Sequence, residues 1–190
     1  MKVYIASDHA GYKLKEKLKK KIDIENFEKV GKSKFSKKNF AQISSGIKIP
    51  DTFKSKGFEV FGNRNYAKFS MEDLSPDFVE GDDYPDYVRE LCEKVLKTNG
   101  KGILICGTGI GMSIAANKIS GIRAALCWNV RSAKYSREDN DANILVLSGW
   151  MIKEKEALKI VRVWLKTGFK GAGRHVRRIN KIKKIEGCGR

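Results

Sequence analysis

The chain has 190 residues, enough for one well-filled core and short for two full domains. Its formal net charge of +17 points to an anionic ligand or a nucleic acid contact without choosing between them. The four cysteines, Cys92, Cys106, Cys127 and Cys188, contain no C-x-x-C pair, and the two histidines do not complete a metal set, so the thiols read as free in a reducing cytosol with no metal or cofactor. The opening MKVYIAS is too short for a signal segment, and no run approaches the roughly 18 apolar residues of a spanning helix, so the expectation is a soluble cytoplasmic protein with no membrane partner.

Val3 to Ala6 form a short apolar run expected as a buried strand. Tyr12 to Ile22 follow as an amphipathic helix, with Leu14 and Leu18 on one face and lysines on the other. From about 23 to 55 the pattern breaks into a lysine-rich segment, read as an insertion in a single domain spanning 1–190. Phe58 to Phe61 are expected as the second strand. An irregular loop at about 62–82 and an acidic EGDDYPD run precede a helix over Tyr87 to Leu96, with Tyr84-Pro85 as a turn.

Ile103 to Cys106 read as the third strand, Ser113 to Ile119 as a helix, Ile122 to Cys127 as the fourth strand and Val130 to Arg137 as a helix. Ile144 to Leu147 make the fifth strand, and Lys153 to Thr167 a long helix with Ala157, Ile160, Val161 and Trp164 inward. Strands alternating with helices predict an α/β fold, a three-layer α/β/α sandwich with a mostly parallel, five-stranded Rossmann-like sheet. Ligands of such sheets gather at the carboxyl ends of the strands, here Ser7-Asp8-His9, Cys106-Gly107-Thr108 and Gly149-Trp150. Cys127, with no glycine loop after it, reads as a packing residue.

The segment GILICGTGIGMSIAANK, Gly102 to Lys118, carries the chemistry. Glycines at 107, 109 and 111 let the backbone turn tightly and aim successive N–H groups into one concavity, and the helix after them adds its positive end, so an anion fits there. Cys106 beside that field is expected to favour the thiolate and act as base or nucleophile. The plainer alternative is a buried strand cysteine followed by a tight turn. The loop reads G-x-G-x-G, so it matches neither the dinucleotide fingerprint nor the phosphate loop with Gly-Lys-Ser or Gly-Lys-Thr.

SDHAGYKLK, DDYPDY, ILICGTGIGMSIAANKISGIRAALC, SREDNDANILVLSG and GAGRHVRRI, in this order, resemble type B ribose-5-phosphate isomerase, in the family that includes the galactose-6-phosphate isomerase subunits. The resemblance covers residues 1–22 and roughly 56–185. It implies metal-free aldose–ketose isomerisation of a sugar phosphate by a homodimer or tetramer with active sites at the subunit interface, in pentose phosphate interconversion. Cys106 then corresponds to the base that moves a proton between C1 and C2 through an enediolate, and the backbone donors of Gly107, Thr108, Gly109, Ile110 and Gly111 to the nest for its negative oxygen. Asp8 and Asn140 correspond to contacts with the sugar, Tyr84 and Ser113 are placed among the substrate-binding residues, and His9, Arg174 and Arg178 to the phosphate grip. Without the resemblance, Asp8 reads as well as a helix N-cap, GRHVRRINKIKK as a basic surface tail, and His175 as a structural or surface histidine.

Two positions depart from the family pattern. Asp139 stands where many members carry the histidine that opens the furanose ring, and is expected to take over that role, with Thr108 or water. Trp150 stands where members often have a phosphate-binding arginine, which implies weaker dependence on the substrate's phosphate. Isomerisation of galactose 6-phosphate or allose 6-phosphate, and a non-catalytic sugar-phosphate sensor, are the competing readings. Nucleic acid ranks last, because the lysines are dispersed and no recognition motif accompanies them.

Overall fold

The protein is described by a computed structural model over residues 1–22 and 69–187. Its elements run β1 (Lys2–Ser7), α1 (His9–Lys21), β2 (Ser70–Asp73), α2 (Tyr84–Thr98), β3 (Lys101–Cys106), α3 (Ile110–Ala116), β4 (Ala124–Leu126), α4 (Val130–Glu138), β5 (Ile144–Ser148), α5 (Glu154–Lys166) and α6 (Gly173–Gly187). The five strands are all parallel, in the order β2-β1-β3-β5-β4. The chain passes from β1 outward to β2 and then returns to the other side of β1 as β3, so a crevice opens between the carboxyl ends of β1 and β3.

Helices cover both faces. Alternation along the strands sends Tyr4, Ala6, Leu104, Cys106, Ile144 and Val146 into one core with Leu91 and Val95 of α2 and Met112 and Ala116 of α3. The opposite set, Val3, Ile5, Ile103, Ile105, Leu145 and Leu147, is fully buried on the other face, where α1, α4 and α5 pack against one another. Continuous apolar strands are what a parallel sheet covered on both sides requires. Truncating one such leucine to alanine costs about 2–5 kcal/mol. Ala157, Ile160, Val161 and Trp164 of α5 are buried as the periodicity implied.

Four elements differ from the sequence-based expectation. Lys15 is fully buried rather than on a lysine face, because its ammonium bonds both Asp73 oxygens at 3.0 and 3.1 Å and the Ser75 hydroxyl at 3.1 Å. The stretch read as irregular at 62–82 contributes β2: Ser70–Asp73 pair in parallel with Lys2–Ile5, and Lys15 and Lys19 tie Asp73 to α1. The region around residues 110–119 is helical from Ile110 to Ala116, with Gly109 as its left-handed cap at φ 81°. GRHVRRINKIKK is a helix rather than a tail, seated by His175 and Ile179. The insertion read at 23–55, the strand read at Phe58 to Phe61 and the first part of the 62–82 stretch lie outside the described residues. Of the cysteines within them, Cys92, Cys106 and Cys127 are all buried free thiols. No helix among the described residues is long and apolar enough to cross a membrane.

Candidate active site

The end of β1 and the end of β3 are brought together by a missing side chain. A Cβ on Gly11 would stand 2.1 Å from the Ile105 carbonyl oxygen, so only glycine lets the first turn of α1 lie against the last residues of β3. That turn begins with Asp8, which is 6% exposed and caps α1 by accepting the Gly11 N–H at 2.9 Å. The N-cap reading of Asp8 therefore describes its position here. Burial pushes the Asp8 carboxyl above its ordinary value, against the lowering effect of that hydrogen bond.

Cys106, the last residue of β3, is 4% exposed. The loop after it is tied to the end of β5: Gly149 N–H donates to the Cys106 carbonyl at 2.8 Å, Trp150 N–H to the Gly107 carbonyl at 3.1 Å and the Ser148 hydroxyl to the same carbonyl at 2.7 Å. The backbone N–H groups of Met112, Gly109 and Thr108 favour ionisation of the thiol. Burial outweighs them, and the nearby Asp8 carboxylate adds to it, so the thiol lies above its ordinary value. The expectation of a favoured thiolate is thus corrected: the nest is present, but it is set deep enough that desolvation decides. Met112, absent from the sequence-based donor set, joins the nest because α3 begins early, while the Ile110 N–H is claimed by the Thr108 hydroxyl at 3.2 Å.

Aromatic rings flank the loop. A Cβ on Gly107 would meet the Trp150 indole at 2.8 Å, and one on Gly111 would meet the Tyr84 ring at 2.5 Å. Tyr84 opens α2 rather than a free turn. Ser113 sits in the first turn of α3, its N–H bonded to the Gly109 carbonyl at 3.1 Å.

His9 is held by Asp82, a residue that the sequence-based set lacks. Asp82 Oδ1 accepts the His9 backbone N–H at 2.8 Å and Nδ1 at 2.7 Å, and Oδ2 accepts the Tyr87 hydroxyl at 2.7 Å. Burial works against the charge on Asp82, but these donors outweigh it and hold its carboxyl low. The same bond raises His9 above its ordinary value. The signal available in the sequence was the D-x-x-x-x-Y spacing from Asp82 to Tyr87 at a helix start, which an acidic turn conceals.

Asp139 and Arg174 are linked through His175, with Asn140 next in sequence to the one and Arg178 a turn further along α6 from the other. Asp139 ends α4, Asn140 follows it and lines a groove of about 960 Å³ with Arg123, Ser136, Ile182 and Ile185, and both arginines project from α6 into solvent. Among the described residues no hydrogen bond or ion pair joins this group to Asp8, His9 or Cys106. His175, read as structural or surface, is 4% exposed, with Nε2 3.6 Å from Asp139 Oδ1.

A parallel sheet with a cysteine, a glycine nest and an Asp-His pair at its switch point is the architecture of an α/β sugar-phosphate enzyme. Residues 52–182 match the model of the ribose/galactose isomerase family, and the chain belongs to that family. It is 44% identical over 109 residues to ribose-5-phosphate isomerase B of Escherichia coli, covering 56% of this chain and 72% of that one. The ribose 5-phosphate isomerase of Thermotoga maritima superposes with a TM-score of 0.69 at 38% identity, covering 96% of this chain and 97% of that one. The Mycoplasma genitalium ribose-5-phosphate isomerase B, solved with bound ribulose-5-phosphate, superposes with a TM-score of 0.69 at 35% identity, covering 98% and 97%.

Proposed function

We infer that this chain interconverts ribose 5-phosphate and ribulose 5-phosphate, with Cys106 as the base. The class, an aldose–ketose isomerase of sugar phosphates, follows from the family and from relatives described as ribose-5-phosphate isomerases B. The observation that carries the finer reading is the place of Cys106 at the end of β3, directly before the glycine loop and the start of α3, because an enediolate needs a base and a set of oxygen-facing donors in one place. In this reading Cys106 takes a proton from C2 of the open aldose and returns it to C1, while the nest holds the negative oxygen. Asp8 contacts the sugar hydroxyls, with Tyr84, Ser113 and Asn140 as further contacts. His9, Arg174 and Arg178 grip the phosphate; when the ring opens, Asp139 takes the O1 proton as C1=O1 forms, and the ring oxygen, released from C1, takes a proton from Thr108 or water.

The reading includes a second copy of the chain. Cys106 and Asp8 share no direct contact with Asp139 and Arg174, and Ile110 (49%), Ile114 (57%), Trp150 (70%) and Met151 (63%) expose apolar surface around the Cys106 loop. Facing of these two regions across a homodimer would complete one site from two chains. The domain is read as one unit of 1–190 with its insertion, working in the cytoplasm in pentose phosphate interconversion.

The test is conversion of ribose 5-phosphate by purified protein beside Cys106→Ala and hexose 6-phosphates. Loss of about 10²–10⁴-fold in kcat/KM in the alanine variant supports the base, on the scale of general-base catalysis. Retained turnover there sinks it. Preference for a hexose 6-phosphate moves the substrate while leaving the reaction. Mixing Cys106→Ala with Asp139→Asn restores activity if the site is shared between copies, and leaves it absent if each chain works alone.

A further inference from the structure

The buried histidine of α6 lies between the two groups that differ most in assigned task. His175 Nε2 accepts the Arg174 Nε–H at 3.1 Å, and the same nitrogen stands 3.6 Å from Asp139 Oδ1. One ring nitrogen cannot serve both neighbours in one state. While it accepts from Arg174 it is unprotonated and offers Asp139 nothing; once protonated it can donate to Asp139 but must release Arg174. The imidazole cannot turn away to escape this choice, because its side chain is 6% exposed and α6 is seated through it and Ile179. The other charged groups at this corner are already engaged with each other: Lys170 bonds Glu138 at 2.7 Å and lies within the field of Asp139 and Tyr135.

We propose that His175 is a positioning residue shared in turn by Arg174 and Asp139, so that capture of the substrate's phosphate by Arg174 frees Nε2 to carry the ring proton and orient Asp139 for ring opening. This rests on the assignment of Arg174 to the phosphate and Asp139 to the ring. Arg174 prefers a dianionic phosphate to a neutral imidazole, since the phosphate adds an opposite charge and two oxygens that the guanidinium fork can hold at once. Its departure leaves a buried ring nitrogen without that donor and 3.6 Å from Asp139 Oδ1, the neighbour to which it can then turn. Phosphate occupancy is thereby coupled to the geometry of the ring-opening carboxylate. A sugar without phosphate then meets an Asp139 that has no imidazole donor.

The chain has two histidines, so its imidazole nitrogen NMR spectrum contains one pair of signals from His9 and one from His175. Adding inorganic phosphate at constant pH is expected to move the His175 Nε2 signal from the unprotonated acceptor range toward the protonated range. A His175 signal that stays in place while His9 responds overturns the proposal. In kinetics, His175→Gln is expected to lower kcat at saturating ribose 5-phosphate, which is mostly ring-closed, by about tenfold or more, while kcat at saturating acyclic ribulose 5-phosphate changes by less than about threefold, the KM values shifting to keep the two kcat/KM values in their equilibrium ratio. Equal losses in both directions overturn it. Asp139→Asn separates the two levels. If that variant leaves the ratio of directions unchanged, the ring-opening assignment itself fails; if it shifts the ratio and His175→Gln does not, only the coupling fails. Should the glutamine variant not fold, the spectrum of the unmodified protein decides.

Discussion

Asp82 holds His9 at two points through one oxygen, Oδ1, which accepts the backbone N–H at 2.8 Å and Nδ1 at 2.7 Å. The bond raises the histidine above its ordinary 6.5, so its pairing with Asp82 is present in full below that value and is lost as pH climbs through the raised one. On the acid side, the lowered Asp82 loses the pair only as pH falls through its depressed value. KM for ribose 5-phosphate is therefore expected to stay low through pH 6.5 and to climb above the raised His9 value. Asp82→Asn shifts that climb to lower pH. Superimposable KM–pH curves for the two proteins would remove His9 from the phosphate grip.

The buried thiol sets a second pH dependence. Burial first, and the Asp8 carboxylate after it, keep Cys106 protonated beyond the ordinary thiol range. With ribulose 5-phosphate as substrate, kcat/KM should rise with pH along an alkaline limb. Asp8→Asn removes one of the two causes and displaces the limb to lower pH, whatever it does to the maximum. A pH-independent rate from 6 to 10 would exclude the thiolate as the working base.

Two glycines near the site face different neighbours, and alanine should separate them. At Gly11 the added Cβ meets backbone, the Ile105 oxygen at 2.1 Å, which cannot move without breaking the β1–β3 junction. At Gly107 it meets the Trp150 indole at 2.8 Å, and that ring is 70% exposed and free to swing. Urea denaturation should show Gly11→Ala losing about 3 kcal/mol or more and Gly107→Ala about 1 kcal/mol or less. Comparable losses would mean that the indole is as fixed as the strand.

Lys101 carries a stability cost that depends on pH. Burial, with Arg137 adding to it, brings its ammonium down to about 8, and its nitrogen lies 5.3 Å from the centre of the Trp164 ring. Between that value and the ordinary lysine value the unfolded chain holds the extra proton, so stability rises with pH across the interval. Lys101→Met is expected to stabilise the protein by about 1–2 kcal/mol at pH 7, a gain that disappears by pH 10. Chemical denaturation at both values measures it; an equal gain at both would make the effect one of packing alone.

The strands β1, β3 and β5 were legible because each is an unbroken apolar run, the pattern that burial on both faces imposes. β2 was not, since SMED alternates exposed and half-buried positions and its pairing depends on Lys15 and Lys19 reaching Asp73 from another element. Lys15 shows the limit of hydropathy: a lysine on a helix face reads as solvated unless its carboxylate partner, 58 positions away, is known. α6 hid for the opposite reason, because two buried residues in fifteen leave almost no apolar period. At the site, the glycine spacing announced the nest and its position after β3. The depth of Cys106 and the Asp82 contact to His9 are properties of the packed chain, carried by no local motif.

Cys92, Cys106 and Cys127 sit out of solvent in three different places: the middle of α2, the end of β3 and the residue after β4. Burial drives the Cys92 thiol up to about 12 and raises the other two as well, so none presents a ready thiolate at the surface. A thiol-reactive dye can then label each position only when the surrounding structure opens. The three labelling rates clock the opening of separate parts of the fold under native conditions, and a sugar phosphate bound over Cys106 would slow one clock while leaving distant openings to keep their own time.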